Sequence, residues 1–255
     1  MKCGSFLAAA AAALILSGCC TTEKEDALPI APVQVSTVSG DFQLDGNLND
    51  AVWQNAARYP FCQIKTPQAP RVEARIAKDG FEDGYAMFAK DDKYLYVAAK
   101  MNDVDVVQFA TKNQIPLWRY GDLLEVFICT DQSSGYWELF ASPRSNKTSI
   151  FFRSPGMKVF DSNFRKMPGM EVAAQVQGSL NKHDDDDQGW TAEMRIPIAE
   201  VEEACGVKFT ADQKWYILAA RYNYAKRFRT EQYSAYPQLP QLQYHLLEYY
   251  APLQF

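Results

Sequence analysis

Along Gly189–Pro197, GWTAEMRIP, apolar and polar positions alternate: Trp190, Ala192, Met194 and Ile196 against Thr191, Glu193 and Arg195. A period of two is the signature of a β-strand, and one apolar face with one polar face predicts a strand buried on one side and wet on the other. The same rhythm runs through YLYVAAKM (94–101), DLLEVFI (122–128), YWELFAS (136–142) and TSIFFR (148–153). KWYILAARYN (214–223) is apolar nearly throughout, which predicts a central strand covered on both faces. Turn signals separate these runs, among them Asp79-Gly80, Asp83-Gly84, Asp91-Asp92, Ser133-Ser134-Gly135 and Pro168-Gly169. Helical patterning is scarce. LNDAVWQNA predicts a short helix capped by Asn49 or Asp50, with Trp53 on its apolar side, and IAEVEEACG predicts another, stopped at Gly206. Many strands, frequent turns and one or two short helices predict an all-β fold, an antiparallel β-sandwich of jelly-roll or immunoglobulin-like kind.

The amino-terminal stretch breaks the pattern. Lys2 is followed by an apolar run through Leu16 and then small residues, the layout of an export signal rather than of a folded helix. Leu16-Ser17-Gly18-Cys19 resembles a bacterial lipobox, so residues 1–18 read as a lipoprotein signal peptide and Cys19 as the acylated residue, with an ordinary secretory signal as the alternative. Acyl chains bury methylenes at about 0.8 kcal/mol each, enough for durable anchoring when several are present. Residues 19–32 read as a polar, proline-ended tether, and 33–255 as one domain. The expected location is outside the cytoplasm, on the outer membrane or cell surface because Cys20 rather than aspartate follows the anchor, with the periplasmic side as the alternative. No other segment has the apolar length to span a bilayer.

Charge and composition narrow the partners. The net charge of −5 and the scattered basic residues exclude a phosphate-binding stripe, so nucleic acid is not an expected partner. The 14 tyrosines and 5 tryptophans serve either a core or an amphipathic binding surface. Cys20, Cys62, Cys129 and Cys205 are widely spaced and form no C-x-x-C metal pattern; one disulfide and free buried thiols are both open.

Five segments come in a recognisable order: LDGNLNDAVWQNA, DDKYLYVAAKMND, WRYGDLLEVFI, GWTAEMRIP and YSAYP followed by YHLLEYYAPLQF. Together, over about residues 33 to 255, they resemble the family 9 carbohydrate-binding modules. The resemblance implies a β-sandwich that binds a polysaccharide or oligosaccharide without cleaving it, needing no catalytic cofactor and often carrying a structural calcium ion. It implies a stacking role for Trp118, just before the G-D-x-x-E-V-F strand, and a hydroxyl-binding role for Glu125 within it. Where the family has a second tryptophan this chain has Tyr236, close to Tyr233, and the following strand offers Glu138, Ser142 and Arg144 in place of the family's charged residue and asparagine. Asp103 and Asp105 in MNDVDV are the candidates for a calcium site of the family's type.

The chemistry expected of these residues is simple. A pyranose presents C–H groups on one face, which an aromatic ring buries at about 25 cal/mol per Å². A carboxylate or guanidinium then orients it through charge-assisted hydrogen bonds. Pro116 and Gly121 bracket Trp118 in a turn, where binding residues are often displayed, although a lid over the sandwich core needs the same residue. Glu125 alternates with Leu124 and Val126 and therefore faces away from the main core, for binding, as a solvated charge, or in a salt bridge with Arg119. Tyr233 and Tyr236 read either as stacking rings or as packing. The aspartate run 184–187 reads as a solvated hairpin tip. Three other classes are weighed against sugar binding: a structural or protein-partner sandwich, a glycosidase using Glu125 and Glu138 as a carboxylate pair, and a haem protein ligated by Met101 and His245.

Overall fold

The computed structural model describes residues 30–66, 69–158, 166–225 and 230–255. The signal peptide, Cys19, Cys20 and most of the tether lie outside the described residues. In chain order the strands are β1 (Val33–Gln34), β2 (Ser36–Thr37), β3 (Tyr59–Pro60), β4 (Cys62–Gln63), β5 (Gly84–Lys90), β6 (Tyr94–Asn102) and β7 (Leu123–Thr130). They continue with β8 (Tyr136–Ala141), β9 (Lys147–Phe152), β10 (Glu171–Gln177), β11 (Gly189–Pro197), β12 (Trp215–Ala225), β13 (Thr230–Tyr236) and β14 (Ala251–Gln254). Among the described residues three helices, α1 (Ala51–Asn55), α2 (Pro70–Asp79) and α3 (Ile198–Cys205), complete the elements with two short 3-10 turns.

Two sheets form the sandwich. The larger runs β1-β14-β12-β7-β8-β9, with β13 on β12 and β4 on β13; the smaller runs β10-β11-β6-β5-β2, with β3 on β5. The long strands pair antiparallel, as the alternation predicts. Two short pairings, β1 with β14 and β2 with β5, are parallel. They arise because residues 33–37 cross from one sheet to the other, each end adding a two-residue edge.

The core between the sheets follows from strand parity. Leu124, Val126 and Ile128 of β7 point inward together with Trp190, Ala192, Met194 and Ile196 of β11 and Leu95, Val97, Ala99 and Met101 of β6. Truncating a side chain of the size of Trp190 there costs about 3–5 kcal/mol. The smaller sheet's outer face carries its own cluster, in which Trp53 of α1 packs with Met87, Ala89, Tyr96 and Ala98.

The expected wet face of β11 is a point of difference. Glu193 is fully buried, and its carboxylate accepts hydrogen bonds from the Trp53 indole (2.6 Å) and from the amides of Gly46 (2.7 Å) and Asp45 (3.1 Å). A buried carboxylate is retained where donors surround it, and here the segment before α1 supplies them. Asp50 does precede α1, yet its side chain takes the Gln43 amide instead of capping the helix. Gly206 ends α3 as expected, left-handed at φ 70°. The helix α2 has no counterpart among the predicted elements. It starts at Pro70, where a missing N–H is tolerated, and holds Val72 and Arg75 against the body of the domain.

The larger sheet's outer face is covered as well, which positions the site. Leu123, Phe127, Cys129, Tyr136, Phe140, Ile150, Phe152, Leu218 and Ala220 form a third apolar layer. Residues 237–250 lie over it, seating Leu239, Tyr244 and Tyr250. The His245 Nδ1 is 2.9 Å from the Tyr136 hydroxyl, and its ring stands edge-on to Phe127. Cys62 and Cys129 are free thiols.

Candidate functional site

The turn that carries Trp118 is built by its neighbours. Pro116 enters a 3-10 turn over Leu117–Arg119, closed by the Arg119 amide on the Pro116 carbonyl (3.0 Å) and the Tyr120 amide on the Leu117 carbonyl (2.9 Å). Leu117 is fully buried and pins the turn to the sheet. Gly121 follows at φ 142°, where a Cβ would stand 2.0 Å from the Val107 carbonyl oxygen, so no larger residue fits. Asp122 is buried; its carboxylate takes the amides of Val107 and Tyr224, each at 2.6 Å. The Gly-Asp step thus ties the turn to the 103–110 loop and to β12 at once.

In that frame Trp118 is half-buried. Its ring lies 5.2 Å from Phe140 at an interplanar angle of 31°, and its carbonyl accepts the Tyr224 hydroxyl at 2.7 Å. Strand parity places Glu125, Glu138 and Tyr233 on the same outer face: Glu125 sits opposite Phe140 and Ala220, Glu138 opposite Phe127, and Tyr233 opposite Tyr222. Glu125 does turn away from the inter-sheet core, yet it is neither solvated nor paired with Arg119. It is 2% exposed and Glu138 5%, and the two carboxyls hydrogen-bond to one another. Each keeps a buried Oε2 with no partner.

Two carboxyls in contact cannot both ionise in a buried layer. Burial and then the charge of Glu138 hold Glu125 well above the usual carboxylate range, whereas burial alone pushes Glu138 up, to about 7. The pair therefore shares one proton through the hydrogen bond between them. Around the pair stand Tyr222, half-buried, stacked 6.5 Å from Tyr224 and edge-on to Tyr233 at 5.3 Å, and the buried Tyr244. Trp118, Tyr222, Tyr224 and Tyr233 thus form a half-exposed aromatic rim over an acidic floor.

Tyr236 is not part of it. It lies opposite Ala219 on the inner face of the larger sheet, 4.8 Å from Tyr59, so Trp118 and Tyr236 are separated by the thickness of the sheet. The reason is parity: Tyr233 and Tyr236 are three residues apart on one strand and must face opposite ways. Ser142 is buried and works locally, its Oγ accepting the Asn146 amide at 3.2 Å to hold the β8–β9 turn. Arg144 is exposed, with Nη1 at 3.5 Å from the Gln108 carbonyl. Neither Ser142 nor Arg144 shares a contact with the carboxyl pair. The rim tyrosines 222 and 224 were within reach of sequence reasoning, because two tyrosines spaced by two on a strand must share a face.

Asp103 and Asp105 do not converge. Asp103 pairs with the fully buried Arg221 (3.2 Å), whose guanidinium also donates to the carbonyls of Glu82, Asp83 and Asn102. Asp105 takes the His183 Nδ1 at 2.7 Å. Among the described residues no three metal-ligating side chains come together. The aspartate run is more than a solvated tip: Asp187 is 6% exposed and accepts the amides of Val106 (2.8 Å) and Ser179 (2.6 Å), stapling the 103–108 loop. Met101 lies in the inter-sheet core and His245 outside the larger sheet, so the two cannot ligate one haem.

No protein-family model matches this sequence, and no curated protein matches it. Solved structures do match its fold. A "putative carbohydrate-binding protein" from Bacteroides uniformis aligns over 88% of this chain and 99% of its own with a TM-score of 0.67 and 10% identity. A carbohydrate-binding module of family 9 from Caldicellulosiruptor kristjanssonii, in complex with cellotriose, aligns over 88% of this chain and 92% of its own with a TM-score of 0.52 and 14% identity. The same family's module from that organism in complex with glucose gives 0.51, with 15% identity over 88% and 94%. At these identities the chain shares their β-sandwich fold.

Proposed function

We propose that this protein is a non-catalytic carbohydrate-binding sandwich that takes a saccharide on the outer face of the larger sheet. The observation that carries the reading is the half-exposed Trp118 beside a buried, proton-sharing Glu125–Glu138 pair whose two Oε2 atoms have no partner. An indole face buries the apolar side of a pyranose, and an unpartnered carboxyl oxygen accepts a hydroxyl. The fold's likeness to modules complexed with cellotriose and glucose supports a neutral sugar as the ligand class.

A glycosidase reading is weaker on geometry. Such enzymes hold their carboxyls about 5 to 9.5 Å apart around a cleft, to admit water or a nucleophilic attack, whereas Glu125 and Glu138 hydrogen-bond directly to each other. Arg221 sets a positive charge against Asp103, which argues against a calcium ion on that carboxylate. The signal-like residues 1–18 and Cys19 support export as a membrane-anchored lipoprotein serving polysaccharide capture or degradation. Detergent-phase partitioning of the Cys19→Ala variant against the parent chain tests the anchor: both remaining aqueous would remove it.

Affinity electrophoresis in gels cast with neutral polysaccharides tests the binding. The parent protein is expected to be retarded and Trp118→Ala to run free. A second reading, a protein-partner module without sugar binding, is favoured by Phe109 and Tyr120, which are 45% and 40% exposed and joined by the Phe109 amide on the Tyr120 carbonyl. A broad glycan array that stays blank would decide for it.

A further inference from the structure

The smaller sheet has a recess of its own, on the face turned away from both the core and the carboxyl pair. Thr191, Lys100, Tyr85 and Pro60 are successive cross-strand partners on β11, β6, β5 and β3, so their side chains form one row across the outer face. A cleft of about 440 Å³ opens over Tyr85 and Lys100 and is walled by Arg58 and Asn102. A second hollow of about 390 Å³ continues from Lys100 over Thr191 to Asn49 and Gln188. Each volume is within the range in which proteins hold small ligands, about 300–1,000 Å³.

The chemistry of this cleft is the reverse of the acidic floor described above. Arg58 and Lys100 are exposed, and neither forms an ion pair with another described residue. The Arg58 guanidinium lies over the Tyr85 ring, 4.9 Å from its centroid, which keeps it beside the cleft. Asp83 also lines the cleft, one carboxylate oxygen accepting the Asn102 side-chain amide, and the two cations outnumber its single negative charge. Two cations beside one tyrosine present donors, and a guanidinium matches a carboxylate through two parallel hydrogen bonds. The adjoining hollow adds uncharged amides, which suit hydroxyls rather than a second charge.

We propose that this two-part cleft binds an acidic oligosaccharide. The carboxylate of a uronic acid unit lies between Arg58 and Lys100, and the hydroxyls of the next unit meet the amides of Asn49 and Gln188. Tyr85 is a positioning residue that orients Arg58. The site is separate from the Trp118 face, so one chain grips a neutral unit on one side and a charged unit on the other.

The test is affinity electrophoresis of the full chain in gels containing polygalacturonate, dextran sulfate or a neutral β-glucan, at low and moderate salt. Retardation by polygalacturonate that weakens with salt is expected. Arg58→Ala and Lys100→Ala each should lower that affinity tenfold or more while leaving melting temperature and neutral-glucan behaviour unchanged. Lys100→Glu should abolish it, and Trp118→Ala should leave it intact. No retardation by polygalacturonate, or retardation insensitive to both cation variants, overturns the proposal. Equal retention by dextran sulfate through the same two residues overturns the uronate assignment in favour of general anion binding. Loss of polygalacturonate binding in Trp118→Ala would move the acidic ligand to the other face. The neutral-glucan arm reads the Trp118 site separately, so failure of one site is distinguishable from failure of the other.

Discussion

Glu125 on β7 and Glu138 on β8 share one proton in the layer outside the larger sheet, diagonal neighbours across an antiparallel pair. Their buried contact gives the protein a titration that an ordinary surface pair would not show. Both carboxyls are raised above the ordinary value of 4.5, Glu138 to about 7. In the unfolded chain they lose protons near 4.5, so the folded state is favoured below that pH and loses this advantage as pH climbs towards 7 and beyond. The lowered His245 next to the layer acts oppositely, favouring the fold above its usual value of 6.5. Glu138→Gln should therefore be compared with the parent chain as a difference. Between pH 4.5 and 8 the parent should lose on the order of 3 kcal/mol relative to the variant. Parallel unfolding curves at both pH values would show that the pair does not share a proton.

Trp118→Ala separates display from packing. The indole is half-buried on Phe140, so truncation should lower stability by about 1–2 kcal/mol and abolish neutral-glycan retardation. Denaturant midpoints and affinity gels on one preparation check both. Full binding alongside a loss of more than about 4 kcal/mol would make the indole a core residue.

Tyr236→Ala should show the opposite profile. Its ring packs against Tyr59 between the sheets, so stability should fall by about 2–4 kcal/mol while the folded fraction binds normally. Calorimetric titration at a temperature where the variant is folded measures this, and lost affinity there would put the ring back in the site.

Gly121 admits no substitute without movement. A Cβ would sit 2.0 Å from the Val107 carbonyl oxygen at a φ few L-residues adopt, so Gly121→Ala should destabilise by about 3 kcal/mol or more and weaken sugar binding through the Trp118 turn. An unchanged urea midpoint would contradict the geometry.

Arg221 stands where a cation is required. Arg221→Met leaves Asp103, held at about 6 by burial against the pull of the guanidinium, without its partner. Removing one member of a buried pair costs about 3–5 kcal/mol. Chelator treatment of the parent chain should leave its melting temperature unchanged. A clear drop with EDTA would establish a metal elsewhere.

Strand alternation made the sandwich legible, since Trp190 to Ile196 and Leu124 to Ile128 alternate as the core demands. The outer layers were not legible. Whether Glu193 or Glu125 meets water depends on which distant segment folds over it, and residues 45–53 and 237–250 leave no local periodicity to announce that. Parity was the neglected signal for Tyr236. Arg221 hides in a strand that reads as apolar, because burial of a guanidinium depends on carbonyls from Glu82, Asp83 and Asn102 far away in sequence.

The two edge strands β1 and β14 lie side by side. Val33 faces Leu253 and Gln34 faces Gln254 in a parallel pairing, reinforced by the Val35 amide on the Gln254 carbonyl at 2.8 Å. Tension applied between the amino and carboxyl termini would load these bonds together in shear, instead of peeling them apart singly. The fold thus carries a mechanical clasp that resists being pulled open from its two ends.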